Sequence, residues 1–222
     1  VVSVTEDFGG RQARIVDFHP SIFTEDRKIV SIVILVGSAT APGRTHTIAA
    51  QLGESLRSRD TTLQLDLLDL AQVSYEPCDG RPLAAYDVTV RETVAKVTAA
   101  AGVVIASPVY RATYTGVLKN FLDILPVDAL RDKSVGIAVV GASLHHYLGV
   151  DTGLRSVLAW FGALALPTSV YLTSSDFDDA KQPTLGARDQ LDELAETLLR
   201  LTREVQNEHF GPEPLAARAN RG

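Results

Sequence analysis

Residues 29–36, IVSIVILV, are almost uninterrupted hydrophobe, and a segment that short and that apolar belongs in a strand covered on both faces. Four further runs repeat the theme: LQLDLLDL at 63–70, GVVIA at 102–106, VGIAVV at 135–140 and TSVYL at 168–172. The run at 63–70 begins with alternation, which suits a strand nearer the sheet edge. Between the runs lie segments with helical patterning, at 47–59, 88–100, 117–125, 154–161 and 187–204. β-branched residues weaken the second of these as an isolated helix, an effect that packing commonly overrides. Five strand-then-helix units predict an α/β fold, a doubly wound, five-stranded parallel sheet with helices on both faces. A chain of 222 residues suits one such domain, expected at 29–205. An N-terminal extension at 1–28 and a C-terminal tail at 206–222 complete the expected organisation, both mobile.

The formal net charge of -6 argues against broad binding to nucleic acid or an anionic membrane, because either polyanion meets a repulsive average surface. Cys78 is the single cysteine, so a disulfide framework is excluded and a reducing, cytoplasmic setting is expected. The first 28 residues lack the basic-then-apolar order of a signal peptide, and no apolar run approaches the roughly 18 residues of a membrane span.

In a doubly wound sheet, ligands bind outside the carboxyl ends of the strands where the strand order reverses, which directs attention to the loops after the first, third and fourth strands. The first of these, GSATAPGRTHT at 37–47, combines small residues with hydroxyls, one cation and a following helix start. Small residues let the backbone approach a ligand, and free amides at the helix start attract an anion. The loop is neither a P-loop nor a Gly-x-Gly-x-x-Gly turn. An anion cradle and an ordinary capped βα loop both suit these residues. In the third loop, SPVYRATYTG at 107–116, Pro108 lacks an amide hydrogen and holds Ser107 extended, so neighbouring backbone groups point into the crevice. Such a loop suits a flat polar heterocycle, with Tyr110 stacking or hydrogen bonding and Gly116 allowing close packing at the next helix start. Equally, Tyr110 and Tyr114 suit a cover for the sheet or an oligomer contact.

The stretch SPVYRATYTGVLKNFLDILP at 107–126 closely resembles that of the NADPH-dependent FMN reductases, most of all the alkanesulfonate-utilisation branch that feeds reduced flavin to a separate monooxygenase. The resemblance extends over about 29–172. It implies a flavodoxin-like fold, FMN phosphate on the first loop and the isoalloxazine ring against 108–110. It also implies that Tyr114 occupies the position of an inserted tyrosine, in a π-helical turn at a subunit interface near the flavin, where it controls flavin release or transfer. The chain departs from the family in carrying Thr40 where relatives place Arg, and Gly43 and His46 where they place hydroxyls; Arg44 is expected to supply the missing charge.

The fourth loop, GASLHHYLGVD at 141–151, starts with small residues, which let its backbone approach a planar ring. With the resemblance, the expected flavin contacts are Ser38, Arg44, Thr45 and Thr47 for the phosphate, Pro108, Val109 and Tyr110 for the ring, and Gly141 and Ser143 for its other border, with His46, Arg111 and Ala142 also in the cofactor site. His145 and His146 lack a ligand set at metal spacing and read as loop or interface residues. Ser107, followed by Pro108, lacks the elbow that exposes a hydrolytic nucleophile, so a triad with His146 and Asp151 is set aside.

The activity these residues suit is hydride transfer from NADPH or NADH to FMN, with reduced flavin passed to a partner monooxygenase; the cofactors carry the chemistry. One rival is a quinone, azo-dye or metal-ion reductase that keeps FMN bound. Another is a non-enzymatic electron carrier or flavin-sensing module. Val117, Leu118, Phe121 and Leu122 crowd one short helix, which predicts a helix-mediated homodimer or homotetramer.

Overall fold

The computed structural model describes residues 29–40, 42–74, 76–206, 208–210 and 212. The N-terminal extension at 1–28 lies outside the described residues, as does most of the tail at 206–222. Where the tail is described, His209 Nδ1 lies 2.7 Å from Asp132, and the Phe210 amide donates to the same carboxylate at 3.3 Å.

Six strands build one sheet: β1 (Ser31–Val36), β2 (Gln64–Asp69), β3 (Gly102–Pro108), β4 (Ser134–Val140), β5 (Leu164–Ala165) and β6 (Val170–Leu172). All pairings are parallel, in the order β2-β1-β3-β4-β5, with β6 also on β4. This is the five-position order of the flavodoxin-like doubly wound fold, with its reversal between β1 and β3. The expected single strand at 168–172 is corrected: the fifth position is split. Ser134 and Val135 face Leu164 and Ala165, whereas Ala138 to Val140 face Val170 to Leu172. Pro167 lies in the gap and has no amide hydrogen to give the ladder.

Along β1 the side chains alternate between two cores. Val33 and Leu35 join the core beneath α2 (Val88–Ala99), α3 (Gly116–Ile124) and α4 (Gly149–Phe161). Ile32, Ile34 and Val36 join the one beneath α1 (Arg44–Arg59) and α5 (Leu185–Glu204). Period-two geometry thus turns one apolar run into the centre of both layers. Helix α2 forms despite its β-branched residues because Val90, Val94 and Val97 are buried and the Asp87 carboxylate caps the Thr89 amide at 2.9 Å.

Two helices start three or more residues earlier than the periodicity indicates. Helix α1 begins at Arg44, directly after Gly43. Helix α4 begins at Gly149 rather than near Leu154, because contacts from the loop after β3 hold its two poorly helix-forming glycines. The basis for an α3-mediated oligomer is also corrected: Leu118, Phe121 and Leu122 are buried within the protomer itself. Cys78 lies against α3, its amide donating to Asn120 Oδ1 at 2.7 Å and its thiol to the Asp123 carbonyl at 3.4 Å.

Candidate flavin crevice

The loops after β1, β3 and β4 meet at the carboxyl edge of the sheet. The first is stitched to the third by one buried hydrogen bond: Thr115 Oγ1 donates to the Gly37 carbonyl at 2.6 Å. The same hydroxyl oxygen caps α3 by accepting the Leu118 amide at 3.1 Å. Gly37 lets α3 approach, since a Cβ there would lie 3.0 Å from Leu118. Close packing therefore falls at Gly37 and not at Gly116, where a Cβ would meet nothing within 4 Å.

In the first loop, Ser38 is buried and its Oγ accepts the Thr40 amide at 3.4 Å. Gly43, the N-cap of α1, has no side chain to offer the first-turn amides; the His46 amide donates to the Gly43 carbonyl at 2.9 Å, and those of Arg44 and Thr45 remain suited to an anion. Thr45 is buried, and Thr47 Oγ1 donates to the Gly43 carbonyl at 3.4 Å. The exposed Arg44 lays its guanidinium over the Phe177 ring, 5.4 Å from the centroid. His46 does not stand free: Nδ1 accepts the Gly43 amide at 3.2 Å, and Nε2 lies 3.1 Å from Asp69 Oδ2. Three hydroxyls, from Ser38, Thr45 and Thr47, with helix amides and one nearby guanidinium, make a donor set that fits a phosphate.

In the third loop, Val109 extends the ladder through its amide to the Val140 carbonyl at 3.0 Å. Tyr110 and Thr113 then exchange backbone bonds of 2.8 and 3.1 Å around a two-residue turn. Its central residues, Arg111 and Ala112, both have positive φ, 49° and 66°. For non-glycine residues that geometry costs roughly 1 kcal/mol or more each. Packing offsets it: the Ala112 carbonyl sits where a Cβ of Gly149 would be, and Thr113 and Tyr114 lie against Gly153, one turn further along α4.

Tyr114 is half-buried and precedes Thr115, the N-cap of α3. The expected π-helical turn is corrected here, since α3 is α-helical from Gly116 and the chain ahead of it is spent on the turn and the cap. Burial pushes the Tyr114 phenol above its ordinary pKa.

The fourth loop is held from β6. The Tyr171 hydroxyl donates to the Ser143 carbonyl at 2.7 Å and packs so closely over Gly141 that a Cβ there would overlap it. Tyr147 meets the Tyr171 ring edge-on, with centroids 6.2 Å apart. Ala142 and His145 are exposed, and Ser143 Oγ lies 3.0 Å from His145 Nδ1. Asp151 is committed to Arg155, through bonds of 2.7 and 3.0 Å. Among the described residues no group of three or more His, Cys, Asp or Glu side chains is placed to hold a metal.

Sequence reasoning missed Thr115, Asp69, Gly149, Gly153 and Tyr171. Thr115 carried the signal of a capping residue before a helix, and the glycine pair that of a bare helix face. Tyr171 and Asp69 carried none, because their partners lie far away in sequence.

A doubly wound sheet whose anion-suited first loop lies beside two backbone-rich loops defines an α/β protein with a crevice suited to a nucleotide or flavin. The family model for NADPH-dependent FMN reductase matches residues 30–178, and the chain belongs to that family. An NAD(P)H-dependent FAD/FMN reductase of Geobacillus thermodenitrificans is 32% identical over 120 residues, 54% of this chain and 65% of that protein. An NADH-dependent FMN reductase of Pseudomonas putida, SfnF, is 32% identical over 152 residues, 68% of this chain and 81% of the relative. The solved apo structure of an NADH:FMN oxidoreductase superposes with a TM-score of 0.66 at 28% identity, covering 81% of this chain and 91% of that one.

Proposed function

We propose that the protein transfers hydride from NADPH or NADH to FMN and releases the reduced flavin to a partner monooxygenase. The observation that carries this reading is the buried Thr115 to Gly37 bond, which fastens the loop suited to phosphate and the loop suited to a flat ring into one crevice. The names of the reductases the chain matches support the same chemistry. The bound flavin supplies the hydride-accepting ring, so the protein has to bind, orient and exclude water rather than supply an acid and a base.

In this reading Ser38, Thr45, Thr47 and the first-turn amides of α1 hold the phosphate. Arg44 swings from Phe177 to join them. Pro108, Val109, Tyr110 and Arg111 border the ring on one side, with Gly141, Ala142 and Ser143 on the other. Tyr114, packed on Gly153, acts on flavin release from the α4 side of the third loop. The homo-oligomer and cytoplasmic parts of the reading rest on exposed Leu144, Tyr147, Leu148 and Trp160, and on the lone Cys78. No helix among the described residues is long and apolar enough to cross a membrane.

The test is NADPH and NADH oxidation by purified protein with and without added FMN, alongside its absorbance spectrum as isolated. Turnover that needs added FMN supports the flavin-releasing reductase. A yellow protein reducing quinone without added FMN overturns flavin release, and no oxidation with any acceptor overturns the enzyme reading. Arg44→Ala is expected to weaken FMN binding about 10-fold, as loss of one charge-assisted contact would.

A further inference from the structure

We propose that His46 and Asp69 form a strut that positions the first loop for its anion and does not itself touch the ligand. The inference rests on the reading of that loop as the FMN phosphate site. It begins from the imidazole, both of whose nitrogens are engaged. Since Nδ1 accepts the Gly43 amide at 3.2 Å, the ring proton sits on Nε2 and points at Asp69 Oδ2, 3.1 Å away. The other carboxylate oxygen, Oδ1, accepts the Ala71 amide at 3.0 Å, so Asp69 is itself fixed by the turn that ends β2. The two side chains are 15% and 14% exposed, too covered to swing freely.

Position explains why this matters. Asp69 is the last residue of β2 and pairs in register with Val36, the last residue of β1. The strut thus runs from the sheet edge to the first turn of α1 and spans the mouth of the loop that begins at Gly37. Gly43, at the loop's far end, is the residue most in need of support. It is extended, with φ -153° and ψ -160°, and glycine has the widest choice of other conformations. A serine or aspartate N-cap would take the first-turn amides for itself. Here the cap comes from the opposite direction, as position three of the helix reaches back to the Gly43 amide. The turn is fixed, and the Arg44 and Thr45 amides are left for an anion, the His46 amide being taken by the Gly43 carbonyl at 2.9 Å. A hydroxyl at position 46, as the family resemblance leads one to expect, reaches the ligand directly. The imidazole gives up that contact and holds the loop instead.

FMN affinity, read from quenching of flavin fluorescence, and steady-state NADPH oxidation test this together. His46→Ala and Asp69→Ala are each expected to raise the FMN Kd and KM about 10-fold while kcat changes less than about twofold, and the double variant to bind no worse than either single one. His46→Gln is expected to recover most of the affinity, because glutamine at this helix position reaches the N-cap amide in the same way. A merely structural residue shows no such rescue at equal thermal stability. Should His46→Ala not fold, Asp69→Asn carries the test, with an expected loss of a few-fold in affinity. Unchanged FMN affinity in the folded variants overturns the strut. So does a His46→Ala loss that Asp69→Ala does not share, which makes His46 a direct ligand. Failure of the unaltered protein to bind FMN is a separate result and overturns the underlying reading of the site.

Discussion

On the β1 and β3 side of the crevice the loops are tied by a hydrogen bond that water does not reach, from Thr115 to the Gly37 carbonyl, with Thr115 only 1% exposed. On the β4 side, the loop from Gly141 to Leu148 exposes Leu144 at 72%, Tyr147 at 54% and Leu148 at 48%, and β6 fastens only its start, where the Gly141 amide donates to the Leu172 carbonyl and the Tyr171 hydroxyl to the Ser143 carbonyl. A buried acceptor that loses its donor has no water to replace it, whereas a carbonyl near the surface does. The first half is therefore held ready for a ligand, and the second is free to adjust to whatever enters. Such a division suits the proposed function, in which a nicotinamide enters and a flavin leaves.

Thr115→Val should break the comparison most severely. It strips the Gly37 carbonyl and uncaps α3 together, costing about 2–3 kcal/mol in chemical denaturation, while Thr115→Ser restores most of it. Stability equal to that of the unaltered protein would remove the bond as the link between the loops. Gly141→Ala comes next: the added methyl displaces the Tyr171 hydroxyl, at a cost of about 1–2 kcal/mol. Tyr171→Phe alone should cost about 1 kcal/mol or less and speed amide exchange in 141–148 without affecting the first loop. Because the two changes share one contact, the double variant should be less destabilised than their sum. Strict additivity would show that Tyr171 does not latch the loop.

The smallest effect concerns acid. Burial pushes the Asp151 carboxyl up, but hydrogen bonds from Arg155 and Ser169 and the Arg155 charge hold it below its ordinary value of 3.8. Its contribution is therefore present above pH 3.8 and is lost as pH falls through the lower folded-state value. Amide exchange at the start of α4 should quicken in that window by an amount equivalent to ~1 kcal/mol or less, since Arg155 is partly exposed. Asp151→Asn should flatten the response; an unchanged acid profile would assign it to other carboxylates.

Much of this architecture is legible in the sequence. The run at 29–36 placed β1 inside the sheet, between β2 and β3, and the alternation at 63–70 placed β2 at the edge. The abrupt Ser-Pro-Val-Tyr exit marked the crevice. The split at Pro167, the early start of α4 and the engagement of His46 were not legible in the same way. Each depends on which distant segment arrives alongside: β4 beside Pro167, the 110–113 turn beside Gly149, and Asp69 beside His46. The absence of a π turn at Tyr114 has the same origin, because Thr115 turns back to Gly37 and stops the helix from extending further.

What the sequence determined by itself was the pattern: strands covered on both faces, helices with one buried stripe, and small residues where β1 and β4 open into the crevice. These follow from local periodicity and the side-chain chemistry of neighbouring residues. Only the tertiary structure decided which polar groups are spent on the fold and which remain for a ligand. A hydroxyl, an imidazole or a carboxylate looks equally available in one dimension. Thr115, His46 and Tyr171 were each claimed by a partner that only the folded chain brings within hydrogen-bonding distance.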